Sequence, residues 1–184
     1  MDNLLWPSVF GNSAPVEVEI GCGTGTFLLQ AAAEHPQRNF FGIEHSRSHA
    51  EFVADRLAKH GASNARIIAA DAVCVLKQIV PPASVAAFHI YFPDPWWKRR
   101  HHRRRLFNTS FTRHLERALA ADGYVHTATD VEEVFALIRD SMGAAGSFAE
   151  DPEVRPPRRS QTSFERKGLA RGAVIWEMSF RKRT

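Results

Sequence analysis

Cysteine is scarce in this sequence: two in 184 residues, Cys22 and Cys74, which gives neither a disulfide framework nor a metal-ligand spacing. No metal is therefore expected. Long apolar runs are missing too. The longest, residues 85–92, contains His89 and falls far short of the roughly 20 residues that a membrane-spanning helix needs. Met1 leads into Asp2 with no basic segment and no signal-like apolar core. These absences lead us to expect a cytoplasmic protein with no membrane partner. Low-complexity tracts and internal repeats are absent as well, which excludes a solenoid or a disordered scaffold. What remains is the composition of an ordinary globular chain, 44% hydrophobic and 24% charged, of a length that suits one domain over residues 1–184.

The net charge of +4 conceals an uneven distribution. Residues 98–105 hold six Lys/Arg and no acid, and residues 151–184 hold nine Lys/Arg against four acids. Elsewhere sixteen acids face nine bases. Two basic segments on an acidic body are what contact with a polyanion requires.

Short apolar strands alternate with longer amphipathic stretches, the pattern of an α/β fold with a mostly parallel sheet. Strands are predicted at 16–20, 39–44, 65–70, 85–92, 124–129 and 173–180. Helices are predicted at 26–34, 46–60, a short stretch after Asp71, 108–119 and 131–142. Residues 1–15 read as a lead-in, and 93–105 and 151–172 as functional loops.

Glu19-Ile20-Gly21-Cys22-Gly23-Thr24-Gly25 has the form E-x-G-x-G-x-G between the first strand and helix. Gly21, Gly23 and Gly25 let the chain turn tightly and bring bare backbone to a ligand. A dinucleotide fingerprint would carry Gly or Ala at position 26, where Thr26 stands; Glu19 would repel a pyrophosphate but suits an ammonium group. Glu44 ends the second strand, 19 residues after Gly25, where such folds place an acid on ribose hydroxyls. Asp71 follows the third strand and suits an adenine amino group, Asp94 follows the fourth, and Asp130 ends the fifth. Each acid has a local alternative: Glu44 on a helix dipole, Asp71 as an N-cap, Asp130 in a capping-box-like spacing with Glu133. Five acids at five consecutive strand ends fit better a shared cationic ligand bearing a diol and an exocyclic amine. The expected cofactor is S-adenosylmethionine.

The block Phe92-Pro93-Asp94-Pro95-Trp96-Trp97-Lys98-Arg99-Arg100-His101-His102-Arg103-Arg104-Arg105 carries the substrate signal. Two prolines restrict the backbone around Asp94, two tryptophans offer stacking faces, and the cations can neutralise phosphates. With this block, the chain resembles the bacterial tRNA (guanine-N7-)-methyltransferases, which act on the variable-loop guanine. Glu19-Ile20-Gly21, Gly42-Ile43-Glu44, Asp71, Thr129-Asp130 and Thr162-Ser163-Phe164-Glu165 carry the rest of the likeness.

The resemblance implies a Rossmann-like class I methyltransferase with a mostly parallel seven-stranded sheet and helices on both faces. It implies a tRNA partner and methylation of guanine N7, at tRNA position 46. Glu19, Gly21, Gly23, Gly25, Glu44, Asp71 and Asp94 would line the cofactor, with Asp94 central to catalysis. Lys98, Asp130, Thr162, Ser163, Phe164 and Glu165 would bind substrate, while Arg100, His101, His102, Arg103, Arg104 and Arg105 would face RNA. His101 and His102 are read as phosphate contacts or solvated groups, not as catalytic ones. Members of the family usually carry more residues before the first strand than the 15 found here. Monomer and homodimer both remain open.

Two rival readings stand beside this one. Asp94-Pro95-Trp96 partly matches the D-P-P-[YFW] loop of amino-methyltransferases, although Trp96 stands where the second proline belongs. A non-catalytic RNA-binding module would keep the basic segments but would not need acids at all five strand ends.

Overall fold

The computed structural model describes residues 5–159, 161 and 163–183. Five strands, β1 (Val16–Ile20), β2 (Asn39–Glu44), β3 (Ala65–Ala69), β4 (Val85–Tyr91) and β5 (Leu119–Thr129), run parallel. Two more, β6 (Phe148–Glu150) and β7 (Trp176–Lys182), pair with each other, and β7 lies antiparallel to β5. The order is β3-β2-β1-β4-β5-β7-β6. Every residue of β1 and β2 is buried, as expected of central strands covered on both faces.

Helices cover both sides. On one, α2 (Thr26–Glu34) and α3 (Arg47–Lys59) press Phe27, Leu28, Val53 and Leu57 onto Phe40 of β2 and Ala65 of β3. On the other, α4 (Ala72–Gln78), α5 (Thr109–Ala118) and α6 (Glu132–Ala144) bury Leu76, Phe111, Leu115, Ile138 and Met142 against Val18, Phe88 and Ile90. A short helix, α1 (Trp6–Phe10), lies inside the expected lead-in; Trp6 donates to Ser84 Oγ at 3.0 Å and meets Phe41 edge-on. This is the Rossmann-like α/β architecture that the sequence implied. Strand order reverses between β1 and β4, and open α/β sheets bind ligands at that switch, beyond the strand carboxyl ends.

Three features depart from expectation. β5 starts at Leu119, five residues before the predicted strand, because Asp122-Gly123 does not stop a helix there. Asp122 takes φ +58° inside the strand, and the pairing with β4 slips between Val85 and Ala87, so the dipeptide is accommodated as a bulge. The short edge strand β6 had no periodicity to announce it. Within 151–172, read as a loop, Ser163–Leu169 forms α7.

Candidate active site

The glycine turn comes first. Gly21, Gly23 and Gly25 all have positive φ, and Gly25 caps α2 at φ +70°. A Cβ on Gly25 would stand 2.6 Å from the Val53 side chain of α3, so the turn and the helix behind it fit only without one.

Glu44 fixes this turn from the neighbouring strand. Its Oε2 accepts the Gly23 N–H at 2.9 Å and its Oε1 accepts the Ser46 N–H at 2.8 Å. Each oxygen keeps a lone pair, so the carboxylate can also take a ligand hydroxyl. Asp71 caps α4 by accepting the Cys74 N–H at 2.9 Å on Oδ1. The N-cap alternative for Asp71 is thus realised, and Asp71 still lines the same cleft as Glu44.

Glu19 is held less fully, by the Leu28 N–H and the Cys22 thiol. It is buried, and its Oε2 finds no hydrogen-bond partner among the described residues. Burial, reinforced by the Glu44 carboxylate, pushes its carboxyl up to about 8. A buried carboxyl with one oxygen left unpartnered beside a glycine turn is the expected state of a group built for a cationic ligand. That observation, together with Glu44 and Asp71, fits S-adenosylmethionine, which is a cation with a diol and an exocyclic amine.

The opposite wall is the 93–105 segment. Glu44, Asp71, Asp94 and Trp96 line one cleft of about 780 Å³ at the switch point. Asp94 is exposed at its mouth, between Phe92 at φ +49° and Trp96 at φ +46°. Left-handed backbone at two bulky residues is uncommon and persists only where the surroundings hold it. Arg105 is one such holder: its Nε donates to the Pro95 carbonyl at 2.9 Å, and its Nη2 meets Glu133 at 2.8 Å. Arg104 lies 5.0 Å over the Trp96 ring, and His101 meets that ring edge-on. Residues Arg99–Arg104 form a 3₁₀ turn whose Arg100 and Arg103 are exposed; Lys98, also exposed, precedes it, and His102 is half-buried. Trp97 is exposed, so the two tryptophans face different surroundings.

Asp130 sits apart from this cleft. It does not cap α6, which starts after Val131 with no side-chain cap; Thr129 Oγ1 takes the Val131 N–H instead. A Cβ on Gly168 of α7 would come 4.0 Å from Asp130 Oδ2, so Asp130 faces the helix that carries the 162–165 motif. In that motif, Ser163 and Phe164 open α7, Glu165 is buried, and Thr162 lies outside the described residues. Glu165 is paired with Arg159, which sequence reasoning did not single out. A second unforeseen cluster lies deeper. Glu17, almost fully buried, accepts from Arg38 at 2.5 Å and pairs with His89 Nε2 at 2.7 Å, while His89 Nδ1 meets the Tyr91 hydroxyl at 3.0 Å. Burial would raise the Glu17 carboxyl, but His89 and Arg38 together hold it below its usual range. Among the described residues no group of three or more His, Cys, Asp or Glu could hold a metal ion.

A family model described as a putative methyltransferase matches residues 13–178. A tRNA (guanine-N(7)-)-methyltransferase from Burkholderia cenocepacia (strain HI2424) is 40% identical over 181 residues, covering 97% of this chain and 71% of its own length. One of the same name from Sodalis glossinidius (strain morsitans) is also 40% identical, covering 95% and 75%. Among solved structures, a 16S rRNA methyltransferase, KamB, superposes over the whole chain and 96% of its own with a TM-score of 0.71. At 13% identity this likeness concerns the fold.

Proposed function

The chain belongs to the tRNA (guanine-N7-)-methyltransferase family, and we propose that it methylates N7 of the variable-loop guanine, position 46, of tRNA. The observation that carries this reading is the cleft itself. One wall carries Glu44 and Asp71, with the glycine turn that follows the buried Glu19, and the other is a cationic turn. We place this activity in the cytoplasm, within one methyltransferase domain. No described helix is long and apolar enough to cross a membrane, and both cysteines are free.

Bound S-adenosylmethionine supplies a methyl group on a positively charged sulfur. Glu19 would hold the ammonium group in its ionised form. Glu44 would accept the ribose hydroxyls with the lone pairs its backbone bonds leave free, and Asp71, in the same cleft, would accept from the adenine amine. Guanine N7 attacks with its own lone pair and loses no proton, so no general base is needed. Alignment therefore carries much of the rate. As attack proceeds, positive charge develops on the guanine ring, and a fixed carboxylate beside it stabilises that charge. Asp94 is assigned this role, and the 162–165 motif is proposed to hold the base from the other side. Lys98, the 162–165 motif, Arg100 and Arg103 hold the RNA.

The test is transfer of labelled methyl to bulk tRNA lacking N7-methylguanosine, followed by digestion and nucleoside identification. Label in N7-methylguanosine at position 46 is expected. Label in an exocyclic N-methylguanosine favours the amino-methyltransferase reading, and cofactor binding with no transfer to any RNA favours the binding module.

A further inference from the structure

Arg159 joins three parts of the fold. Its two Nη atoms grip the Glu165 carboxylate, with Nη2 at 2.9 Å from Oε1, and Nη2 also reaches Glu177 of β7 at 2.8 Å. Its guanidinium lies 5.1 Å from the ring centroids of both Tyr91 and Phe92, at the end of β4. The Arg159 side chain is only 10% exposed and that of Glu165 only 3%, so the pair is withdrawn from water, where losing one partner is far more damaging than at the surface. Phe92 is the left-handed residue two before Asp94. Glu165 belongs to α7, whose Gly168 faces Asp130, a Cβ there standing 4.0 Å from Oδ2. One guanidinium therefore grips the substrate-side helix and lies over the turn that aims the proposed catalytic carboxylate.

We infer that Arg159 is a positioning residue for methyl transfer, which locks α7 to the β4 turn so that Asp94 and the 162–165 motif meet the same base. The inference rests on the proposed placement of guanine between those two groups. Arg159 itself touches no reacting atom. Its charge does not oppose the cation that forms on the base, because Glu165 and Glu177 outnumber it. Lysine cannot replace it: a single ammonium cannot hold one carboxylate with a fork, reach a second and cover two ring faces.

The full chain carrying Arg159→Ala, Arg159→Lys or Glu177→Gln tests this against wild type. Three quantities are measured: S-adenosylmethionine affinity by calorimetry, single-turnover transfer at saturating tRNA, and urea stability. Displacing catalytic groups by about 1 Å costs on the order of 10²-fold in rate, and that is the loss expected for Arg159→Ala. Cofactor affinity should stay within about twofold, because Arg159 meets the cleft at Tyr91 and Phe92 whereas Glu44 and Asp71 are held by backbone N–H groups. Arg159→Lys should stay closer to the alanine variant than to wild type, and Glu177→Gln, which keeps the grip on Glu165, should lose the least. Millimolar guanidinium should restore part of the rate to Arg159→Ala and none to Arg159→Lys, which a general loss of structure would not do. Wild-type single-turnover rates in Arg159→Ala, or a cofactor affinity that falls as far as the rate, overturn the inference. If the alanine variant does not fold, wild-type rates in Arg159→Lys overturn it equally. Transfer by the wild type to an atom other than N7 contradicts the proposed function instead, and the Arg159 comparison is then read on that atom.

Discussion

On the β1–β2–β3 side of the cleft the acids are placed by regular structure, whereas on the β4–β5 side they are placed by other side chains. Glu44 is held by the N–H groups of Gly23 and Ser46, and Asp71 by the first turn of α4. Asp94 instead sits on a loop with two left-handed aromatic residues, tied by Arg105 to Pro95 and Glu133 and, at its base, covered by Arg159. The difference matches what each side must do. A cofactor of fixed shape suits a rigid pocket, while a guanine within a folded RNA must be admitted and then gripped. Damage to the first side should weaken cofactor binding, and damage to the second should slow transfer while cofactor binding persists.

The largest effect expected is on transfer. Asp94→Asn keeps the size of the side chain and removes the charge proposed to face the developing cation. Single-turnover rates should fall about 10²- to 10³-fold, by analogy with loss of one transition-state stabilising group. A wild-type rate would remove Asp94 from the mechanism and erase the contrast between the two walls.

Next in size is Glu19→Gln, which should weaken S-adenosylmethionine on the order of 10²-fold by deleting a buried charge partner. The same substitution should not destabilise the free protein. Because burial raises the folded carboxyl above its usual 4.5 to about 8, the folded state holds a proton that the unfolded state has lost. That favourable contribution is complete below pH 4.5 and is lost as pH rises to about 8, so wild type should weaken relative to Glu19→Gln across that window. Urea unfolding of both proteins at pH 5 and pH 9 checks the sign.

The cations differ among themselves in the same way. Arg100 and Arg103 are exposed, whereas the Arg105 guanidinium is committed to Pro95 and Glu133. Removing Arg100 or Arg103 should lower the salt slope of tRNA binding by about one each. Arg105→Met should leave that slope nearly unchanged and slow transfer by roughly tenfold through loss of alignment. Equal slope changes for all three would mean that Arg105 releases its protein partners to meet phosphate.

A smaller effect concerns stability at low pH. Burial, with His89 adding to it, lowers His126 from its usual 6.5 to about 4, so the unfolded chain binds a proton that the folded one refuses. Stability should fall as pH drops from 6.5 towards 4, and His126→Gln should flatten that part of the profile in thermal melts.

The first side of the cleft was nearly all legible in the sequence. Strands 16–20 and 39–44 and helix 26–34 match the structure to the residue, because apolar periodicity, the glycine turn and the acids all mark the same boundaries. The second side was legible only as a motif. Nothing in a cationic run shows which guanidinium turns inward, so Arg105 reads like its neighbours although it grips a carbonyl. Arg159 lies in a Pro/Arg-rich stretch with no period, and its partners Glu165 and Glu177 are separated from it by six and eighteen residues. The short helix α7 was missed for the same reason. Asp130 and Glu133 had the spacing of a capping box, yet Thr129 bonds the Val131 N–H and Asp130 faces α7. Local spacing described a possible cap; tertiary packing decided otherwise.

The measurement that most directly tests whether the acid wall is built for a cationic cofactor is calorimetry of S-adenosylmethionine binding at pH 6.5 in buffers of different ionisation heat. With Glu19 at about 8 in the free protein, binding to its ionised form should release roughly one proton from wild type and none from Glu19→Gln, together with the loss of affinity. Proton release that is absent in wild type, or an affinity in Glu19→Gln equal to wild type, would contradict the assignment of the acidic wall to the cofactor.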